Sequence, residues 1–310
     1  MVSSKTIAFP TVLAFFLALV LSTTTLAPDR IVQASGSLPP SPLRAAVKTN
    51  ASRKTLQLQN EAVVAPADQP YKTFLPSIAR PGLNVSRFAT LPPGSKLPSE
   101  EDCAASVKTK AENKHMNTTY NQTKGNQTLA ADYFGWGDPK MNAEFAPRVT
   151  GDFTGTTDEI LQWAACKWGI DEDIVRAQAA RESWWQMTAR GDWSTDPSVC
   201  PPGHGLGVDG TPGQCPESWG IMQVRYIYRK SAWPSSTNST AFNVDLAYAE
   251  WRACYEGYEW WLTTQKGDTW GCVGRWFSGA WHTYWADWYI NEVKNYLNDR
   301  VWEQANFQEP

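Results

Sequence analysis

The chain has no surplus of positive charge: 28 Lys and Arg stand against 31 Asp and Glu, a net charge of −3. Nucleic acids and acidic surfaces are held by basic faces, so neither is expected as a partner. It also lacks an apolar run of comfortable membrane-spanning length. The run at residues 7–20 is short and is interrupted by Pro10 and Thr11. No sheet-forming alternation on the scale of a barrel or sandwich is present, which leaves a mainly helical fold. Tryptophan is missing from the whole N-terminal part: all 17 tryptophans lie between Trp136 and Trp302.

What is present divides the chain into three parts. Lys5 followed by the apolar run and a polar, small-residue stretch reads as an export signal over residues 1–34, with cleavage after Ala27 or Ala34. Export places the mature protein outside the cytoplasm, secreted or at the cell wall. Residues 35–130 carry Pro39, Pro40, Pro42, Pro66, Pro70, Pro76, Pro81, Pro92, Pro93 and Pro98 among Ser, Thr, Asn and Lys. Such a segment buries too little apolar surface to offset its ordering entropy and reads as a disordered tether. Asn50, Asn84, Asn117, Asn121, Asn126 and Asn238 begin Asn-x-Ser/Thr sequons. Residues 131–310 then form one folded unit, long enough for one substantial core.

Five of the six cysteines lie in that unit. In an exported chain they are expected as disulfides. Nearness pairs Cys200 with Cys215 and Cys254 with Cys272, leaving Cys103 for Cys166. A metal site would draw on Cys200, His204 and Cys215, but three ligands at irregular spacing in an oxidising compartment argue against one.

Thr156-Thr157-Asp158-Glu159 reads as a helix start, and Gly169 as its stop. Asp171 opens a second helix through Ile174, Val175, Gln178, Ala179 and Glu182. Helical spacing puts Glu182 one turn from Ala179 and from Trp185, on an apolar and aromatic face. Turn-forming residues dominate from Met187 to Ser218, where a small hairpin is expected. Helix is expected again at residues 219–229, 242–262, 270–281 and 286–307. The fold class is therefore mainly α, with a small irregular or β insertion after the helix that carries Glu182.

A buried carboxylate costs free energy, so Glu182 needs a reason to be on that face. One is an ion pair with Arg181 or Arg190. The other is chemistry: apolar surroundings raise a carboxyl pKa, as a general acid requires. At this point a resemblance becomes specific. Arg181-Glu182-Ser183, followed by Gly220-Ile221-Met222-Gln223-Val224, resembles the paired motif of goose-type lysozymes and soluble lytic transglycosylases. Ala177-Gln178-Ala179-Ala180, Trp276-Phe277-Ser278-Gly279, and Tyr289-Ile290 with Val293 are similar to further segments of that family, in the same order. Phe277 stands where the family has asparagine, and the loop between the motifs carries its own cysteine pair.

The resemblance implies a lysozyme-like α+β fold and cleavage of the β-1,4 bond between N-acetylmuramic acid and N-acetylglucosamine in peptidoglycan strands. The protein would act as a monomer without metal or cofactor. It implies that Glu182 is general acid and then base, that Met222 and Gln223 line the cleft, and that Tyr289 directs its hydroxyl at Glu182. Trp276, in one of the matched segments, is a candidate substrate contact, and Trp184, Trp219 and Trp281 are candidate sugar platforms, with core packing as the rival role for each. Asp192 is the candidate second carboxylate, with Asp196 and Asp209 behind it. Without a second carboxylate, the substrate's N-acetyl group would serve, as in lytic transglycosylases. A glycan-binding module without turnover, or a glycosidase of chitin-like polymers, are the alternative functions.

Overall fold

The computed structural model describes residues 88–135, 137–262 and 265–308. The export signal expected at residues 1–34 and the tether as far as residue 87 lie outside the described residues, as do Asn50 and Asn84. From residue 88 the chain is already folded, which corrects the expected tether boundary at 130. Helix α1, Glu100–Ser106, is capped by the Ser99 hydroxyl accepting from the Asp102 amide, and it buries Cys103. A 3-10 turn at His115–Asn117 leads into the single turn α2, Thr118–Asn121.

The order in this segment comes from polar anchoring, to which a count of apolar residues is blind. Asn117 is fully buried and donates to the Trp185 carbonyl (2.6 Å), while its own oxygen accepts from the Met187 amide (2.8 Å). Glu112 accepts from the Thr157 amide and the Asn121 side chain. Arg252 donates to the carbonyls of Leu91 and Pro92, both at 3.0 Å. Burial also means that Asn117 and Asn121 offer no glycan attachment point in the folded protein, whereas Asn126 and Asn238 are exposed.

Helix α3, Thr157–Trp168, has the expected capping box between Thr156 and Glu159 and ends at Gly169, whose φ of 60° is the left-handed cap. Helix α4, Glu172–Ser183, starts on the Asp171 side chain and ends where Trp184 and Trp185 both turn left-handed. A three-stranded antiparallel sheet follows: β1 (Arg190–Ser194), β2 (Cys215–Trp219) and β3 (Val224–Arg225), in that order. Arg190 faces Trp219 across the first pair, and Trp219 faces Val224 across the second.

The helix expected at residues 219–229 is not formed. Gly220 (φ 77°) and Gln223 (φ 50°) take left-handed conformations that a helix does not allow, and β3 and a 3-10 turn at Tyr226–Tyr228 occupy the stretch. After one turn, α5 (Ser235–Asn238), the central helix α6 runs Thr240–Tyr255. It stops short of residue 262 because Gly257 (φ 78°) reverses the chain. Helices α7 (Thr269–Ser278) and α8 (Tyr284–Asp299) follow, and the described residues are mainly helical with one small sheet among them. Two 3-10 turns, Val301–Glu303 and Ala305–Phe307, follow where a continuous helix was expected.

Trp163, Trp168, Trp185, Tyr248 and Phe242 form the centre of the core. Three disulfides join Cys103 to Cys166, Cys200 to Cys215 and Cys254 to Cys272, the pairing expected from the sequence. They fit an oxidising, extracellular environment. Among the described residues no helix is long and apolar enough to cross a membrane.

Candidate active site

Glu182 occupies the last turn of α4, partly buried where that helix packs against α8. The Tyr289 hydroxyl, on a side chain 0 % exposed, donates to Glu182 Oε1. Burial pushes the Glu182 carboxyl up to about 7. The Tyr289 bond and the positive charges of Arg181 and Arg229 pull it down, while the negative charge of Asp192 adds to the rise. The ion-pair role is not the one observed. Arg181 pairs with Glu292 at 3.7 Å and Arg190 with Asp209 at 3.5 Å. Glu182 is thus a carboxyl poised near neutrality, held by a phenol that burial and the nearby carboxylate keep protonated.

The residue after it does the joining. The Ser183 hydroxyl donates to the Ile221 carbonyl at 2.9 Å, stitching the end of α4 to the 220–224 segment. That segment is gripped from the other side by Asn243 of α6. Its amide donates to the carbonyls of Trp219 (3.0 Å) and Ser236 (2.7 Å), and its oxygen accepts from the Met222 amide (2.9 Å). A side chain at Gly220 would come within 2.6 Å of that amide, so glycine is required there for space as well as for φ. Sequence reasoning missed Asn243. The signal was available: an asparagine between Phe242 and Val244, inside a helix with no exposed face, needs partners.

Gln223 lies beside Gly191, where a Cβ would collide with the Gln223 side-chain oxygen. Its amide nitrogen donates to the carbonyls of Gly220 (2.9 Å) and Ala189 (3.3 Å), which fixes the side chain between β1 and the turn. Asp192, also left-handed at φ 50°, is exposed and accepts from the Ser218 hydroxyl on the neighbouring strand. Its negative charge adds to the rise at Glu182, and Gly191 beside it lies against Gln223.

Other expected residues go elsewhere. Met222 is 0 % exposed and supports the segment from beneath rather than lining an open cleft. Trp184, turned away by its left-handed backbone, packs on Phe307 (4.6 Å) and Tyr296 (6.0 Å). Trp219 is buried between His204, Trp233 and the Arg190 guanidinium, so it holds the insertion together. Trp281 fills the space left by Gly271. Trp276 is only partly buried and donates its indole N–H to the Met222 carbonyl at 3.1 Å, with Arg229 4.5 Å over its ring. Asp196 caps a 3-10 turn by accepting from Ser198, and Asp209 is engaged by His204 (3.0 Å) and Arg190. Cys200 and Cys215 form a disulfide, so their sulfurs are not metal ligands.

Beneath the site, Arg229 clasps Glu250 through two bonds of 2.7 Å, and Arg275 adds a third at 3.1 Å. Burial alone would raise the Glu250 carboxyl, but the two guanidinium charges hold it down at about 2. The clasp places a fixed positive charge near Glu182. Phe277 lies flat on Tyr289, with ring centroids 4.7 Å apart and planes 3° apart, and covers one face of that ring.

No protein-family model matches the chain, and neither the curated proteins nor the solved structures give a match.

Proposed function

We propose that this chain is an exported glycosidase that cleaves the β-1,4 bond between N-acetylmuramic acid and N-acetylglucosamine in peptidoglycan, in the manner of goose-type lysozymes and lytic transglycosylases. One observation carries the reading: a partly buried glutamic acid with its pKa near 7, hydrogen-bonded by a buried tyrosine. At neutral pH much of Glu182 is protonated, so it can give its proton to the glycosidic oxygen as the bond breaks. The resulting carboxylate, stabilised by Tyr289 and by the Arg181 and Arg229 charges, then takes a proton from the attacking hydroxyl. Gln223 orients the sugar beside it.

Two outcomes differ in what meets the cation. If Asp192 faces the sugar from β1, water is the acceptor and a reducing end results. If the substrate's own N-acetyl group serves, an internal hydroxyl closes a 1,6-anhydro ring. Purified cell walls lose turbidity with the wild type and keep it with Glu182→Gln. Equal clearing by both proteins would remove Glu182 from the mechanism.

A further inference from the structure

The outer face of α8 carries rings that the core does not use. Tyr284 is 75 % exposed and Trp285 60 %, and Phe277, in the last turn of α7, is 45 % exposed. The side of α8 turned inward is Ala286, Tyr289, Ile290 and Val293, so the helix is anchored without them. Tyr284 and Trp285 have centroids 5.0 Å apart, Trp285 and Trp288 6.0 Å, and Trp288 and Phe277 5.8 Å. Phe277 in turn stacks on Tyr289, which holds Glu182. A continuous line of aromatic side chains therefore runs from the acid onto the surface.

Large rings left in water are unfavourable, and contiguous apolar patches rimmed by polar groups mark interaction surfaces. The rim here is ionic. The Arg181 guanidinium sits 5.2 Å over Trp288 and pairs with Glu292, and His282, just before α8, is 2.7 Å from Asp287 in its first turn. The occupant that matches both parts is a sugar ring. Its C–H face covers an aromatic ring while the hydroxyls at its edge meet charged and polar groups. A hydrocarbon tail has no polar edge to offer those charged groups.

We infer that the Phe277–Trp288–Trp285–Tyr284 ridge is a binding surface for the glycan strand beyond the sugars at the scissile bond. The choice of polymer rests on the function proposed above. The ridge explains the departure at position 277: a polar contact at one sugar is exchanged for an aromatic start to a longer platform.

The test is co-sedimentation with insoluble purified peptidoglycan, using Glu182→Gln as parent so that the polymer is not consumed. The parent sediments, and adding Tyr284→Ser with Trp285→Ser weakens binding about tenfold or more, as loss of exposed aromatic anchors does. Both side chains are more than half exposed, so the variant keeps the parent's melting temperature. The single Tyr284→Ser, at the most exposed ring, shifts binding in the same direction. Unchanged sedimentation overturns the inference, as does a parent that fails to sediment. A ring substitution that abolishes self-association or phospholipid-vesicle binding while wall binding stays intact also overturns it. Fragment release by the wild type is read separately. Release with ridge-independent binding removes the ridge alone, and ridge-dependent binding without release removes the enzymatic reading alone.

Discussion

Glu182 and Tyr289 are joined by one hydrogen bond, and that bond acts against burial. Removing it in Tyr289→Phe lets the Glu182 pKa rise further above about 7, because the carboxylate loses a donor. A general acid works while protonated, so activity falls as pH rises through its pKa. The alkaline limb of the pH–rate profile therefore moves up in Tyr289→Phe, with kcat lower by about tenfold from the lost charge-assisted bond. Asp192→Asn does the reverse. With a negative charge gone, the Glu182 carboxylate is easier to form, and the same limb moves down. Opposite displacements in the two variants are the signature of this electrostatic arrangement. A shared direction would mean that another group sets the limb. The desolvated setting of Glu182 was legible in the sequence, since helical spacing placed it among apolar neighbours. The fate of Met222 and Trp184 was not, because spacing does not distinguish a side chain that lines a cleft from one that packs beneath it.

At the scale of elements, the site is a junction of α4, the 220–224 segment, α6 and α8. Ser183 and Asn243 make two of its joints. Asn243→Ala leaves the Met222 amide and the Trp219 and Ser236 carbonyls without this partner in a buried place. That change costs about 3 kcal/mol by the usual penalty for unmet buried groups, read as a lowered urea midpoint. Activity falls further than stability alone explains, since Gln223 loses its support. Full activity in a folded Asn243→Ala protein would show that the segment holds its own shape. Helices α3 and α4 were readable because their caps are local: Thr156, Glu159, Gly169 and Asp171 act within one turn. At residues 219–229 the apolar residues Trp219, Ile221, Met222 and Val224 carry no mark of the backbone conformation they take. Two left-handed residues, Gly220 and Gln223, decide the stretch, and Gln223 is held so by contacts with Gly220 and Ala189.

For the whole molecule, the segment from residue 88 to 130 belongs to the folded unit, and its composition hid this. Buried asparagines, the Arg252 clasp and one disulfide do there what apolar residues do elsewhere. Cys103–Cys166 spans 63 residues, against 15 and 18 for the other two bridges. Loop-closure entropy then assigns it about 4 kcal/mol and each of the others about 3 kcal/mol. Replacing Cys103 and Cys166 together by alanine should lower the unfolding free energy most of the three pairs. The smallest loss at this pair would indicate that residues 88–130 contribute little to the folded state.

The mass of what is released from purified peptidoglycan tests the proposed glycosidase most directly. Wild-type protein should liberate soluble muropeptides whose ends have either the reducing mass or the mass one water lighter, and Glu182→Gln should liberate none above background. Fragments released equally by both proteins, or by neither, would contradict it.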